Sequence, residues 1–146
     1  MDSIDEKLIR KLAADADISA SELSSAVNLS VPAINKRIAR LKTEGVIRKL
    51  TLLTDPKAVG KPVSAFIMVK IADFSKSQEF LDAITAQPDI LECYAVSGEY
   101  DYMLKACAPD IDGLETVLLK IKEIGGVTSH TMMCLREYKY EAAVLP

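Results

Sequence analysis

A chain of 146 residues with 49 % hydrophobic and 27 % charged side chains can bury a real core, in one domain or two small ones, which excludes a disordered polypeptide. No apolar run reaches the length of a bilayer span, and the opening MDSIDEKLIRK is too charged and too periodic for a secretory signal, so a cytoplasmic protein with no membrane association is expected. The net charge of −3 argues against general polyanion binding, yet it is unevenly spread: residues 1–50 carry nine Lys and Arg against seven Asp and Glu, whereas residues 51–146 carry nine against fourteen.

The first helix starts near Ser3, whose hydroxyl is placed to cap while Glu6 closes a capping box. Ile4, Leu8, Ile9 and Leu12 form its inner stripe, and Asp15-Ala16-Asp17 ends it. A second box, Ser19 with Glu22, opens the next helix, with Ile18 and Leu23 spaced for a hydrophobic staple and Leu23, Ala26 and Val27 facing inward. Asn28 tolerates positive φ and makes a tight connection to a third helix, Ser30 to Gly45. That helix has two faces. Val31, Ile34, Ile38 and Leu41 fall on one stripe, while Pro32, Ala33, Lys36, Ala39, Arg40 and Thr43 point the other way. Ser30 stands at the N-cap, Pro32 in the first turn and Gly45 at the stop.

Two short helices joined by a tight turn, the second small and basic on its free face, form a helix-turn-helix. Between Asn28 and Leu50 six cations, Lys36, Arg37, Arg40, Lys42, Arg48 and Lys49, face only Glu44. The candidate DNA-binding residues are Ser30, Pro32, Ala33, Asn35, Lys36, Arg37 and Arg40, with Arg48 beyond the helix: small residues allow close approach, and the amide and cations suit phosphates or base edges. Lys36 and Arg40 lie nearest the centre of the free face. Arg37 flanks it and either meets DNA or braces the fold through an acidic neighbour.

After Gly45, VIRKLTLLTD reads as a wing or connecting strand, and Asp55-Pro56 and Gly60-Lys61-Pro62 punctuate a linker. The expected organisation is therefore a DNA-binding domain over 1–50, a connecting strand and linker over 51–62, and a second domain over 63–146. Within the second domain, VSAFIMVKI reads as a strand, Ser75 to Ala86 as a helix with Phe80, Leu81 and Ile84 inward, and ILECYAVS as a strand. The turn Gly98-Glu99-Tyr100-Asp101 leads into the strand YMLKACA. Asp110 then caps a helix with Ile111, Leu114, Leu118 and Ile121 inward, Gly125-Gly126 stops it, and VTSHTMMCLREY is the last strand. The order β-α-β-β-α-β predicts a ferredoxin-like antiparallel sheet with helices on one side, so the fold class is α+β. Phe66, Met68 and Tyr94 are placed to cover the opposite sheet face, which makes sheet-on-sheet dimerisation a natural expectation.

Cys93, Cys107 and Cys134 have no metal-like spacing and read as reduced, mostly buried thiols. His130 is the sole histidine, so a multi-histidine metal site is excluded and a buried or interface residue is expected. No nucleophile–base pair or phosphate-cradling glycine loop is visible, so neither a metal, nor a cofactor, nor enzymatic activity is expected.

These residues resemble the leucine-responsive regulatory protein/AsnC, or feast/famine, family of bacterial and archaeal transcription factors across essentially the whole chain. Ser3-Ile4-Asp5-Glu6, Glu22-Leu23 and LSVPAINKRIARLKTEGVI (Leu29 to Ile47) look like its DNA-binding half, and Gly98-Glu99-Tyr100-Asp101-Tyr102 and Gly126-Val127 like the signature turns of its ligand-sensing half. The resemblance implies a sequence-specific transcriptional regulator whose dimers assemble further, often to octamers. It further implies that an amino acid or related metabolite, bound between dimers near those turns, changes assembly or DNA affinity. DNA sites are then expected to be imperfect palindromes, with half-sites one helical turn or a multiple apart. The candidate effector residues are Gly98, Glu99, Tyr100, Asp101, Ser129, His130 and Thr131. Asp101 holds a ligand ammonium on one reading and caps a tight turn on the other. The family commonly has Thr-x-Thr on its last strand, where this chain has His130 and Met132. Competing classes are a low-specificity architectural DNA-binding protein and an enzyme similar to the sirohaem decarboxylases, the latter opposed by the single histidine and the absence of tryptophan.

Overall fold

A computed structural model describes all residues from Met1 to Pro146. The chain forms two compact units, Met1–Leu53 with Lys139–Pro146, and Thr54–Tyr138.

The first unit contains α1 (Ser3–Ala14), α2 (Ala20–Val27) and α3 (Val31–Thr43). The cap of α1 lies one residue before the expected one: Asp2, not Ser3, is the N-cap, its carboxylate accepting from the amides of Ile4 and Asp5 while Asp5 reaches back to the Asp2 amide. Either pair has the spacing of a capping box; the aspartate pair prevails because Asp5 also has partners on α3, described below. The second box forms as expected, with Ser19 accepting from the Glu22 amide at 3.2 Å and Glu22 from the Ser19 amide at 2.9 Å. Asn28 closes α2 in the left-handed region at φ 54°. Ser30 occupies the N-cap of α3 without a side-chain cap bond, and Gly45 at φ 73° supplies the left-handed stop. Leu8, Leu12, Leu23 and Ile34 form the buried core, with Ile4, Ile18, Val27, Leu29, Ile38 and Ile47 packed around it. Ala26, expected inward, is exposed.

Residues 46–53 form no strand, contrary to expectation. Strand propensity needs a ladder partner, and no strand of the chain pairs with this segment, which leaves Leu52 and Leu53 exposed.

The second unit is a four-stranded antiparallel sheet of β1 (Val63–Ile71), β2 (Ile90–Ala95), β3 (Tyr102–Ala108) and β4 (Val127–Met133), in the order β2-β3-β1-β4. Helices α4 (Ser77–Thr85) and α5 (Ile111–Lys122) complete the β-α-β-β-α-β order. A 3-10 turn at Phe74–Lys76, capped by Asp73, takes the place of the expected first turn of α4. Alternation along β1 sends Ala65, Ile67 and Val69 into a core with Leu104 and Ala106 of β3, Phe80 and Ile84 of α4, and Leu114, Val117 and Ile121 of α5. Phe80 is fully buried and meets Tyr102 at 5.1 Å between ring centroids. Ile111, expected inward, is exposed at the first turn of α5, and Val117 takes its place, because the buried stripe runs through Leu114, Val117 and Ile121. The last strand stops at Met133, where its ladder with β1 ends at Ala65.

The other sheet face has no helix over it. Register places Phe66, Met68 and Lys70 of β1 beside Met132, His130 and Thr128 of β4, and beside Lys105 and Met103 of β3, with Glu92 and Tyr94 of β2 beyond. The expectation for Phe66, Met68 and Tyr94 thus matches the strand register. His130 is exposed rather than buried in the chain, and so is Cys93; Cys107 alone of the three thiols is fully buried, since Cys93 lies on edge strand β2 and Cys134 just past the end of β4.

Candidate nucleic-acid interface and effector turns

Helix α3 buries Ile34 and Leu41 completely and leaves Pro32, Asn35, Lys36, Ala39, Arg40, Lys42 and Thr43 exposed, with Ala33 half-buried. Ser30 is exposed at its start, and Arg48 and Lys49 are exposed beyond its end. The small residues Ser30, Pro32 and Ala33 occupy the N-terminal end of the helix, and the cations follow from Lys36 onward. A duplex groove approached N-terminus first would meet little steric bulk there.

The two arginines are tied to α1. Asp5, fully buried, accepts from Arg37 Nη1 at 2.8 Å through Oδ1, and from Arg40 Nη2 at 2.6 Å and the Asp2 amide at 2.9 Å through Oδ2. Asp2 takes Arg37 Nη1 as well, at 2.7 Å. Arg37 is three-quarters covered and Arg40 about half, with 25 % and 46 % of the side chain exposed. Burial pushes the Asp5 carboxyl up, but the Asp2 amide and the two guanidiniums more than offset it, and the group lies below the usual carboxylate range. The same pairs raise Arg37 further above neutrality, first through Asp2 and then Asp5. From its flanking position on α3, Arg37 either meets DNA or braces the fold through an acidic neighbour; that Asp5 is this neighbour is not evident from the helix period. The retrievable signal was an aspartate in the polar box of α1, three residues from the cap and one turn before Leu8 and Ile9, close to the buried stripe.

In the second unit two turns meet at the end of β1. The Asp101 amide donates to the Val69 carbonyl at 2.9 Å, the Ile71 amide donates to Asp101 Oδ2 at 2.8 Å, and the Ala72 amide donates to the Gly126 carbonyl at 2.8 Å. Gly98 at φ 123° and Gly126 at φ 67° hold backbone conformations that side chains with a Cβ rarely adopt. Asp101 therefore does the work of a turn cap with one oxygen, and Oδ1 has no part in that bond. Tyr100 is half-buried and Glu99 exposed beside it. Of the strand candidates, Ser129 and Thr131 point to the helix-covered side of the sheet and are half-buried, whereas His130 points to the open side. Gly98, Glu99, Tyr100, Asp101 and the start of β4 are thus brought to one end of the sheet, but β4 splits its three candidates between two faces. A surface concavity between α4 and β2, lined by Ile84, Thr85, Ile90, Leu91, Glu92 and Cys93, includes none of them.

Residues 1–42 match the model of the AsnC-type helix-turn-helix domain, and residues 64–144 that of the Lrp/AsnC ligand binding domain. The chain belongs to the Lrp/AsnC family. Its members here include the HTH-type transcriptional regulator FL11 of Pyrococcus furiosus, 34 % identical over 100 % of this chain and 96 % of its own length. The HTH-type transcriptional regulator LrpA of Mycobacterium tuberculosis is 30 % identical over 100 % of this chain and 97 % of its own. Among solved structures, a feast or famine regulatory protein from M. tuberculosis complexed with L-methionine superposes with a TM-score of 0.92 at 30 % identity, covering 99 % of both chains. A transcriptional regulator/L-Met complex from Neisseria meningitidis gives 0.92 at 27 % identity, over 99 % of this chain and 96 % of the other. As a family member this chain is a DNA-binding transcriptional regulator with a helix-turn-helix and a ligand-binding domain of mixed α and β structure. No helix is long and apolar enough to cross a membrane.

Proposed function

We propose that the chain binds imperfectly palindromic duplex DNA as a two-fold dimer and that an amino acid changes that binding. The observation that carries the DNA half is the split of α3 into a buried stripe through Ile34 and Leu41 and a free face bearing Asn35, Lys36 and Arg40 behind Ser30, Pro32 and Ala33. Asn35, Lys36 and the outward edge of Arg40 meet base edges or nearby phosphates, and Arg48 meets the phosphate backbone next to the helix.

The dimer reading is supported by the open sheet face, whose Phe66, Met68, Met103 and Met132 form an apolar stretch that no helix of the chain covers. Two such faces packed together bury His130 at the interface. Further assembly towards octamers brings dimers together near the turns. The amino-acid reading is supported by the methionine complexes of two structural relatives and by the meeting of the Gly98–Asp101 and Gly125–Gly126 turns at one end of β1. Glu99, Tyr100 and Oδ1 of Asp101 face the effector, with Ser129 and Thr131 or His130 completing the wall according to the face it occupies. Regulation follows if the effector binds one assembly or domain arrangement better than another. The protein works in the cytoplasm and catalyses no reaction.

Fluorescence anisotropy with the duplex upstream of its own gene tests the DNA half. Lys36→Ala is expected to weaken binding about ten-fold without changing the helical circular dichroism, the scale of one charged contact. Equal affinity of the wild type for that duplex and for a scrambled one would replace the reading with low-specificity coating.

A further inference from the structure

The buried carboxylate of Asp5 has no surface of its own, yet it takes a donor from each of the two recognition-helix arginines. Asp2 and Asp5 supply two negative charges against the two positive charges of Arg37 and Arg40, all within 2.6–2.8 Å contacts. Seen from a phosphate one Debye length away, about 10 Å at 0.1 M salt, the four groups nearly cancel. The uncompensated cations on α3 and just after it are then Lys36, Lys42, Arg48 and Lys49. Geometry adds a second consequence. Asp5 occupies Nη2 of Arg40, Glu44 lies 3.8 Å from its Nε, and the side chain is still about half exposed, so the remaining Nη1 is held in one orientation before DNA arrives. An arginine fixed in this way gives up little rotamer freedom on binding and can donate in a set direction. Arg37, three-quarters covered, donates from one nitrogen, Nη1, to both carboxylates, which holds it against α1 and away from the free face.

We infer that Asp5 is a positioning residue for DNA recognition: it aims Arg40 at a base edge and cancels the charge that would otherwise let Arg37 and Arg40 hold any phosphate. It raises the ratio of specific to non-specific affinity without touching DNA. The inference rests on α3 being the DNA-reading helix, as proposed above.

The test uses the full-length protein, a preferred duplex enriched from a random pool and a scrambled duplex of equal composition, titrated by anisotropy at several salt concentrations. Asp5→Asn should tighten binding to the scrambled duplex, steepen its log–log salt dependence by about 0.9, the value of one added phosphate contact, and cut the preference between duplexes about ten-fold. Parallel weakening on both duplexes with unchanged salt slope, in a protein whose circular dichroism is native, would show that Asp5 only supports the fold. Arg37→Gln keeps Asp5 paired with Arg40 and bears on the same point if Asp5→Asn fails to fold. It should leave the salt slope as in the wild type, and a slope shallower by about 0.9 would show that Arg37 does hold a phosphate and overturn the inference. Lys36→Ala separates the two levels: if it changes binding to neither duplex, the recognition-helix reading itself falls, whatever Asp5 does.

Discussion

Asp2 is kept charged by the amide of Asp5 and, next, by the Arg37 guanidinium, which lower its carboxyl from 3.8 to about 2. Asp5 is lowered too. A carboxylate whose pKa falls on folding lends stability that is fully present above its ordinary value and is lost as pH falls through the lowered one. The first unit is therefore expected to be insensitive to pH from neutrality to about 4 and to lose stability between about 4 and 2. Urea midpoints followed by helical circular dichroism across that range check it, and Asp2→Asn should flatten the dependence. At neutral pH, Asp5→Ala removes a capping-box partner and the shared acceptor of two partly exposed arginines, at an expected cost of about 2–3 kcal/mol. The sequence showed that a polar box opened α1 but chose Ser3 with Glu6, because both pairs satisfy the same local spacing. What decides for Asp2 with Asp5 is a contact with residues 32 and 35 positions away, and local pattern holds no information on that distance. Ser19 with Glu22 was readable because nothing remote competes for it.

On the scale of the element, α3 separates a buried stripe that holds the fold from an exposed face proposed to read DNA. Ile34→Ala should cost about 2–4 kcal/mol, since the side chain is fully buried in the small core with Leu8, Leu12 and Leu23, whereas Lys36→Ala should stay within about 0.5 kcal/mol. Urea unfolding of the two variants beside the wild type reads both. The amphipathic period of α3 made this division legible from residue types alone. Strand assignments divide differently. Val63–Ile71 and Tyr102–Ala108 were evident as apolar runs, because central strands must be filled on the helix-covered face. The segment 46–53 has the same residue types and no ladder, since propensity describes a surface that fits a sheet and not the presence of a neighbour. On β4 the alternation that separates His130 from Ser129 and Thr131 follows from period two, but which side carries the helices comes from pairing with β1.

The whole molecule is where a single chain stops being sufficient. The order β2-β3-β1-β4 was implied by the β-α-β-β-α-β sequence pattern, and the helix-turn-helix by caps and turn chemistry. The proposed effector site was legible only through its turns, because a pocket between copies has walls that no chain-internal contact fixes. If the open sheet face is the dimer surface, Met68→Glu places a charge beside His130 and Phe66 at its centre, and light scattering should show a species about half the mass of the wild-type dimer or a smaller assembly. An unchanged mass would move the interface elsewhere. The measurement closest to the central claim is anisotropy of the native upstream duplex, with a scrambled duplex as control, recorded with and without L-methionine and then a pool of the other amino acids. The account predicts tighter binding to the native duplex and a several-fold change in that affinity with one amino acid, the scrambled duplex responding less. Affinity that is equal for both duplexes and indifferent to every amino acid would contradict it.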